Sequence, residues 1–183
     1  MTANSGYDEV LDLLAEVERP PSRRPVAGAA DEQLDGLCRA LAFEPPAELL
    51  DWLRVCNGVI AGPGGIYGAD PPENFLDIGG VLELFPSWRE NRWIPVAGDG
   101  TGNHYVLDAT RQHLDRDAVY FVDVMEDPDA LSYLVASSLE RFLRFLLLAD
   151  LGDRRWPFDE EHVSAEDPAI VAVGPASLLP WNA

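Results

Sequence analysis

Apolar positions along the chain follow two periods, and the change from one to the other divides it. Tyr7, Val10, Leu11, Leu14 and Val17 recur at helical spacing, so the start reads as a short amphipathic helix. Arg19-Pro20-Pro21 ends it, because proline donates no amide and disfavours helix in the residue before it. Residues 1–30 read as this helix followed by a proline-rich linker over 20–30. Leu34, Leu37, Cys38 and Leu41 mark a second helix opened by Asp31, which is placed to cap its first free amides. Pro45-Pro46 separates it from a third, Ala47–Cys56, and Asn57-Gly58 is a helix stop.

Glycine then crowds the chain at positions 58, 62, 64, 65 and 68, which reads as a loop with a short extended piece at Gly65-Ile66-Tyr67. Residues 78–90 return to a helical period, interrupted by Gly79-Gly80 and Pro86. The period-two signal follows. Trp93–Ala97 and His104–Leu107 read as paired strands around the turn Gly98–Asn103. A third strand is expected at Val119–Val124 and an edge strand at Leu131–Val135. Ser137 and Glu140 have capping-box spacing for a last helix whose stripe is Leu139, Phe142, Leu143 and Leu146. Residues 151–183 read as a partly packed tail behind a domain at 31–150. Helices, then closely linked strands, then a helix give an α+β class with a twisted antiparallel sheet.

Charge narrows the function. Thirteen basic residues stand against 32 acidic ones, a net charge of −19, and every basic residue is arginine. Without lysine there is no phosphate-loop lysine, Schiff base or lysine general base. The charge argues against nucleic acid or an anionic membrane as a direct partner and favours a basic protein. Solubility alone is an equally good reason for it. Cys38 and Cys56 fall on predicted helices and read as reduced residues of a cytoplasmic protein, a disulfide being the less favoured alternative. Residues 1–7 lack a signal-peptide pattern, and the apolar run Phe145–Ala149 is too short to span a bilayer.

Catalytic patterns are sparse. There is no Gly-x-Ser-x-Gly elbow, and His104, His113 and His162 lie in unlike surroundings. Asp99, Asn103, His104 and Asp108 could ligate a metal, but the spacing of a calcium loop is incomplete and a tight turn explains the same residues. No cofactor is expected. A hydrolase using Asp99 and Asp108 is kept only as a control reading.

Three segments carry a resemblance. They are Pro46–Leu53 running into Asn57-Gly58, then Gly65-Ile66-Tyr67-Gly68, then Ile94–Asp108, in which Ile-Pro-x-Ala-x-Asp-Gly-x-Gly-Asn precedes Tyr-x-Leu-Asp. In this order, over roughly residues 31–150, the chain resembles the SUKH superfamily, the Smi/Knr-type domains related to a yeast cell-wall-assembly regulator. The resemblance implies a sheet packed by helices. It also implies a binding role without catalysis, since many bacterial members look like immunity proteins that block secreted polymorphic toxins. Many such toxins are basic nucleases, and carboxylates suit a groove built for phosphates. Asp99, Asn103, Asp108, Glu126, Asp127 and Asp129 are the candidate partner-binding residues. The alternative is a regulatory ligand- or scaffold-binding module, with Tyr67 and Trp93 lining a pocket beside the Gly98–Asn103 turn.

Overall fold

A computed structural model describes residues 6–17, 27–110 and 117–182. In chain order it has helices α1 (Asp8–Glu16), α2 (Asp31–Leu41), α3 (Ala47–Val55), α4 (Ile78–Leu84) and the single turn α5 (Ser87–Glu90). Strands β1 (Trp93–Gly98), β2 (His104–Asp108), β3 (Val119–Val122) and β4 (Tyr133–Ala136) follow, then α6 (Leu139–Asp150), α7 (Glu160–Glu166) and α8 (Ile170–Val173). The strands form one antiparallel sheet in the order β1-β2-β3-β4. The α+β class with an antiparallel sheet is therefore what the chain adopts.

Alternation along β2 assigns the two faces. Tyr105 packs on Phe142 of α6, with ring centroids 4.9 Å apart. His104 turns the other way, onto Phe85 and Trp88 beside α4 and α5. Helices thus cover both faces, and β1 and β3 are buried along their whole lengths. Pro95 sits in β1 next to a break in register, where a missing amide costs least.

Each edge of the sheet is covered. Beside β1, Tyr67 N donates to Val96 O at 2.9 Å and Gly98 N to Gly65 O at 3.1 Å. Asn57 clamps that glycine-rich segment: its side chain accepts from Ala69 N at 2.7 Å and donates to Ala69 O at 3.0 Å. At β4, Trp156 Nε1 donates to Val135 O at 2.9 Å. Unpaired edges invite pairing with other chains, and these contacts occupy backbone groups that such pairing would use.

Local sequence misplaced several boundaries. The cap of α2 is Ala30, not Asp31: Gln33 Oε1 accepts from Ala30 N at 2.8 Å, which leaves Asp31 in the first turn. The cap of α6 is Ser138, not Ser137, with Ser138 Oγ accepting from Arg141 N at 3.2 Å. Of the expected linker, residues 27–30 are pinned, Ala29 N donating to Leu53 O and Asn57 N to Ala27 O; residues 20–26 lie outside the described residues. Cys56 ends α3 as a buried cap, and Cys38 and Cys56 form no disulfide. β3 stops at Val122 and β4 starts at Tyr133, because residues 123–132 form a loop of their own.

The terminal segments join the same core. Val10 and Leu14 of α1 and Val163, Ile170 and Val173 beyond α6 are fully buried. Arg144 of α6 ties both in, pairing with Glu9 at 2.7 Å and with Glu166 at 2.8 Å.

Candidate functional site: the acidic end of the sheet

Two loops meet at one end of the sheet. The β1–β2 turn is organised by Asp99, whose carboxylate accepts from Thr101 N (2.7 Å), Thr101 Oγ1 (2.6 Å), Asn103 N (3.0 Å) and Asn103 Nδ2 (3.0 Å). Burial works to raise its pKa, but these hydrogen bonds outweigh it and hold the group below the ordinary carboxylate value. Both oxygens are committed to the turn. Asp99 therefore contributes charge here more than free acceptor capacity.

The β3–β4 loop carries Asp123, Glu126, Asp127 and Asp129. Asn103 joins the two loops, its Oδ1 accepting from Val124 N at 3.0 Å. Asp123 Oδ1 accepts from Met125 N (3.0 Å) and Glu126 N (3.1 Å), and Asp127 Oδ1 from Asp129 N (2.9 Å). Asp129 Oδ1 accepts from Ser87 Oγ at 2.5 Å, and Pro128 O from Trp88 Nε1 at 2.7 Å, which fastens the loop to α5. Glu126, Asp127 and Asp129 are exposed around Met125, which is 88 % exposed at the tip.

Of the sequence candidates, Asp99, Asn103, Glu126, Asp127 and Asp129 are gathered at this end. Asp108 is not. It pairs with Trp93 at the far end of β2, about 13 Å of strand away at ~3.3 Å per residue. Asp99 and Asp108 are thus too far apart to work as a catalytic pair. Tyr67 and Trp93 are 5 % and 8 % exposed, so their rings form no open pocket wall. Tyr67 Oη instead lies 2.9 Å from His104 Nδ1. Burial depresses the pKa of His104, against an opposing pull from Asp99. The space beside the turn is filled by backbone: a Cβ on Gly100 would lie 2.7 Å from Pro63 O.

A concavity at this end lies on the other side of the loop pair, away from Tyr67 and Trp93. A cleft of about 440 Å³ opens between the β3–β4 loop and the sheet, lined by Phe121, Asp123, Glu126, Asp127, Leu131 and Tyr133 among others. Asp123, Phe121 and Tyr133 are absent from the sequence candidates. Aromatics at corresponding positions of successive strands were the available signal, readable only with the register in hand.

The model of the SMI1 / KNR4 family (SUKH-1) matches residues 28–144. The chain belongs to this family. The matched SUKH-1 span holds the glycine-rich clamp, both acidic loops and the cleft, and it ends inside α6. No curated protein matches the chain. Among the described residues, no helix of this SUKH-1 chain is long and apolar enough to cross a membrane. Nor do any three or more His, Cys, Asp or Glu among them group as a metal site.

Proposed function

We propose that this SUKH-1 protein is a non-enzymatic immunity protein, which binds a basic bacterial toxin domain in the cytoplasm through the acidic end of its sheet and blocks it. The observation that carries the reading is the bracing of two carboxylate-bearing loops by Asn103. Charges held in place before binding lose little freedom on association, and so favour a charged partner more strongly than mobile ones would. The net charge of −19 adds long-range steering toward a basic surface. Glu126, Asp127 and Asp129 form the exposed part of the face, Asp99 and Asn103 its frame, and Asp108 lies outside it.

The experiment is capture from producing cells with the tagged full chain, followed by an activity assay on the captured protein. A basic toxin domain that loses activity in proportion to added chain, with affinity falling as salt rises, is expected. A captured protein with no toxic activity, held equally well at high salt, overturns the reading. It would favour instead a regulatory ligand- or scaffold-binding module, for which the β3–β4 cleft is the supporting observation.

A further inference from the structure

The β3–β4 cleft has an aromatic floor beside its charged wall. Tyr105, Phe121 and Tyr133 are register partners on β2, β3 and β4, so their rings stand in one row on one face. Centroids lie 5.3 Å apart for Tyr105–Phe121 and 5.0 Å for Phe121–Tyr133, the latter stacked at 22°. Residues beyond the family-matched span lengthen the row at both ends. Trp156 sits 5.8 Å from Tyr105, and Phe158, 59 % exposed, sits 5.5 Å from Tyr133. Phe121 and Tyr133 line the cleft together with Asp123, Glu126 and Asp127. The Tyr133 hydroxyl is pushed up to about 12, by burial first and then by Asp99 and Asp123, so both carboxylates bear on this ring. Asp123 Oδ1 is committed to the loop, while Oδ2 accepts no hydrogen bond among the described residues.

We propose that this cleft receives one arginine side chain of the partner protein, its guanidinium lying over Tyr133 and paired with Asp123. The proposal rests on the reading of the partner as a basic protein. Arginine fits better than lysine for two reasons. Its planar cation stacks on aromatic faces, and it sheds water more readily. The volume sits near the lower end of the ~300–1,000 Å³ range of binding clefts, which suits a side chain with its flanking backbone.

The test is titration of the full chain with N-acetylarginine amide, followed by backbone amide NMR. N-acetyllysine amide and N-acetylnorleucine amide serve as comparisons. Saturable shifts confined to residues 121–133 are expected, with lysine at least threefold weaker and norleucine silent. Asp123→Asn keeps an acceptor for the Met125 and Glu126 amides, so the loop stays folded while affinity drops at least fivefold. Tyr133→Leu weakens the arginine probe more than the lysine probe. Absent or non-saturating shifts, shifts spread over all acidic surfaces, or unchanged affinity in Asp123→Asn overturn the proposal. The two readings fail separately. Toxin inhibition undiminished in Asp123→Asn would remove the cleft and leave the immunity function. Specific arginine binding in a chain that neutralises no toxin would do the reverse.

Discussion

Asp167, at the end of α7, accepts both the backbone amide of Ser137 at 2.7 Å and its hydroxyl at 2.5 Å. The two are thirty residues apart, and Asp167 is 1 % exposed. The bond pair locks the segment beyond the SUKH-1 span onto the end of β4. Truncation by Asp167→Ala leaves two buried donors without an acceptor. The expected loss is about 3 kcal/mol, the usual cost for hydrogen bonds to a charged group. Asp167→Asn keeps one acceptor and is expected to lose about half as much. Denaturant midpoints at unchanged slope check both.

Gly64 lies against the β1–β2 turn, backbone to backbone. A Cβ there would sit 2.4 Å from Gly98 C and 2.6 Å from Gly100 N, atoms that cannot rotate away. Gly64→Ala is expected to cost about 2 kcal/mol or more, as overpacking does, and to displace Asp99 with the turn. Gly36 is the contrast. It lies within α2, and a Cβ meets nothing nearer than Arg39 Nη2 at 3.9 Å. Gly36→Ala is expected to stabilise by about 0.5–1 kcal/mol through helix propensity. Thermal unfolding of the two variants side by side tests both signs.

Sequence reading succeeded where the cause was local. The β1–β2 hairpin was legible because the alternation of Tyr105 and Leu107 against His104 and Val106 and the Asp-Gly-x-Gly-Asn turn act within a few residues. It failed where a distant partner decided. Ser137 and Glu140 have the spacing of a capping box, but Asp167 claims Ser137 and the cap moves to Ser138. Asp31 is a good cap residue, yet Gln33 folds back to Ala30 and starts the helix one position earlier. Tyr67 and Trp93 were expected to line a pocket beside the turn, but the folded chain buries both. The charges of the acidic end were visible in the chain. The cleft beside them was not, because Tyr105, Phe121 and Tyr133 meet only through strand register.

His104 makes stability depend on pH near neutrality. Half-buried among Tyr67, Phe85 and Trp88, with Asp99 favouring its cation but not enough to offset the burial, it holds a proton less well folded than unfolded. The unfolded chain therefore binds more protons as pH falls through about 6.5, the unperturbed histidine value. Stability from this group is complete above that pH and declines below it, until the depressed folded pKa is reached. Unfolding free energy measured from pH 7.5 to 5.5 is expected to fall, and His104→Gln to flatten part of that slope. Parallel slopes for the two proteins would remove His104 as the cause.

Glu48 has the opposite sign. Its Oε1 accepts from Glu140 N at 3.0 Å, at the start of α6, where helix polarity favours a negative charge. Burial nevertheless raises its pKa, Asp117 and Glu140 add to the rise, and the backbone bonds from Glu140 and Leu139 do not offset it. The ionised form is thus less favourable folded than unfolded. That penalty is present above the folded pKa and relieved as pH falls through it. Glu48→Gln keeps an acceptor for the Glu140 amide and removes the part-buried charge. It is expected to raise the denaturation midpoint at pH 7, with the gain shrinking as pH approaches 4, where the native carboxyl is itself protonated. A midpoint lowered at pH 7 would mean that the charge–helix interaction exceeds the cost of burial, and that Glu48 stabilises α6 as a carboxylate.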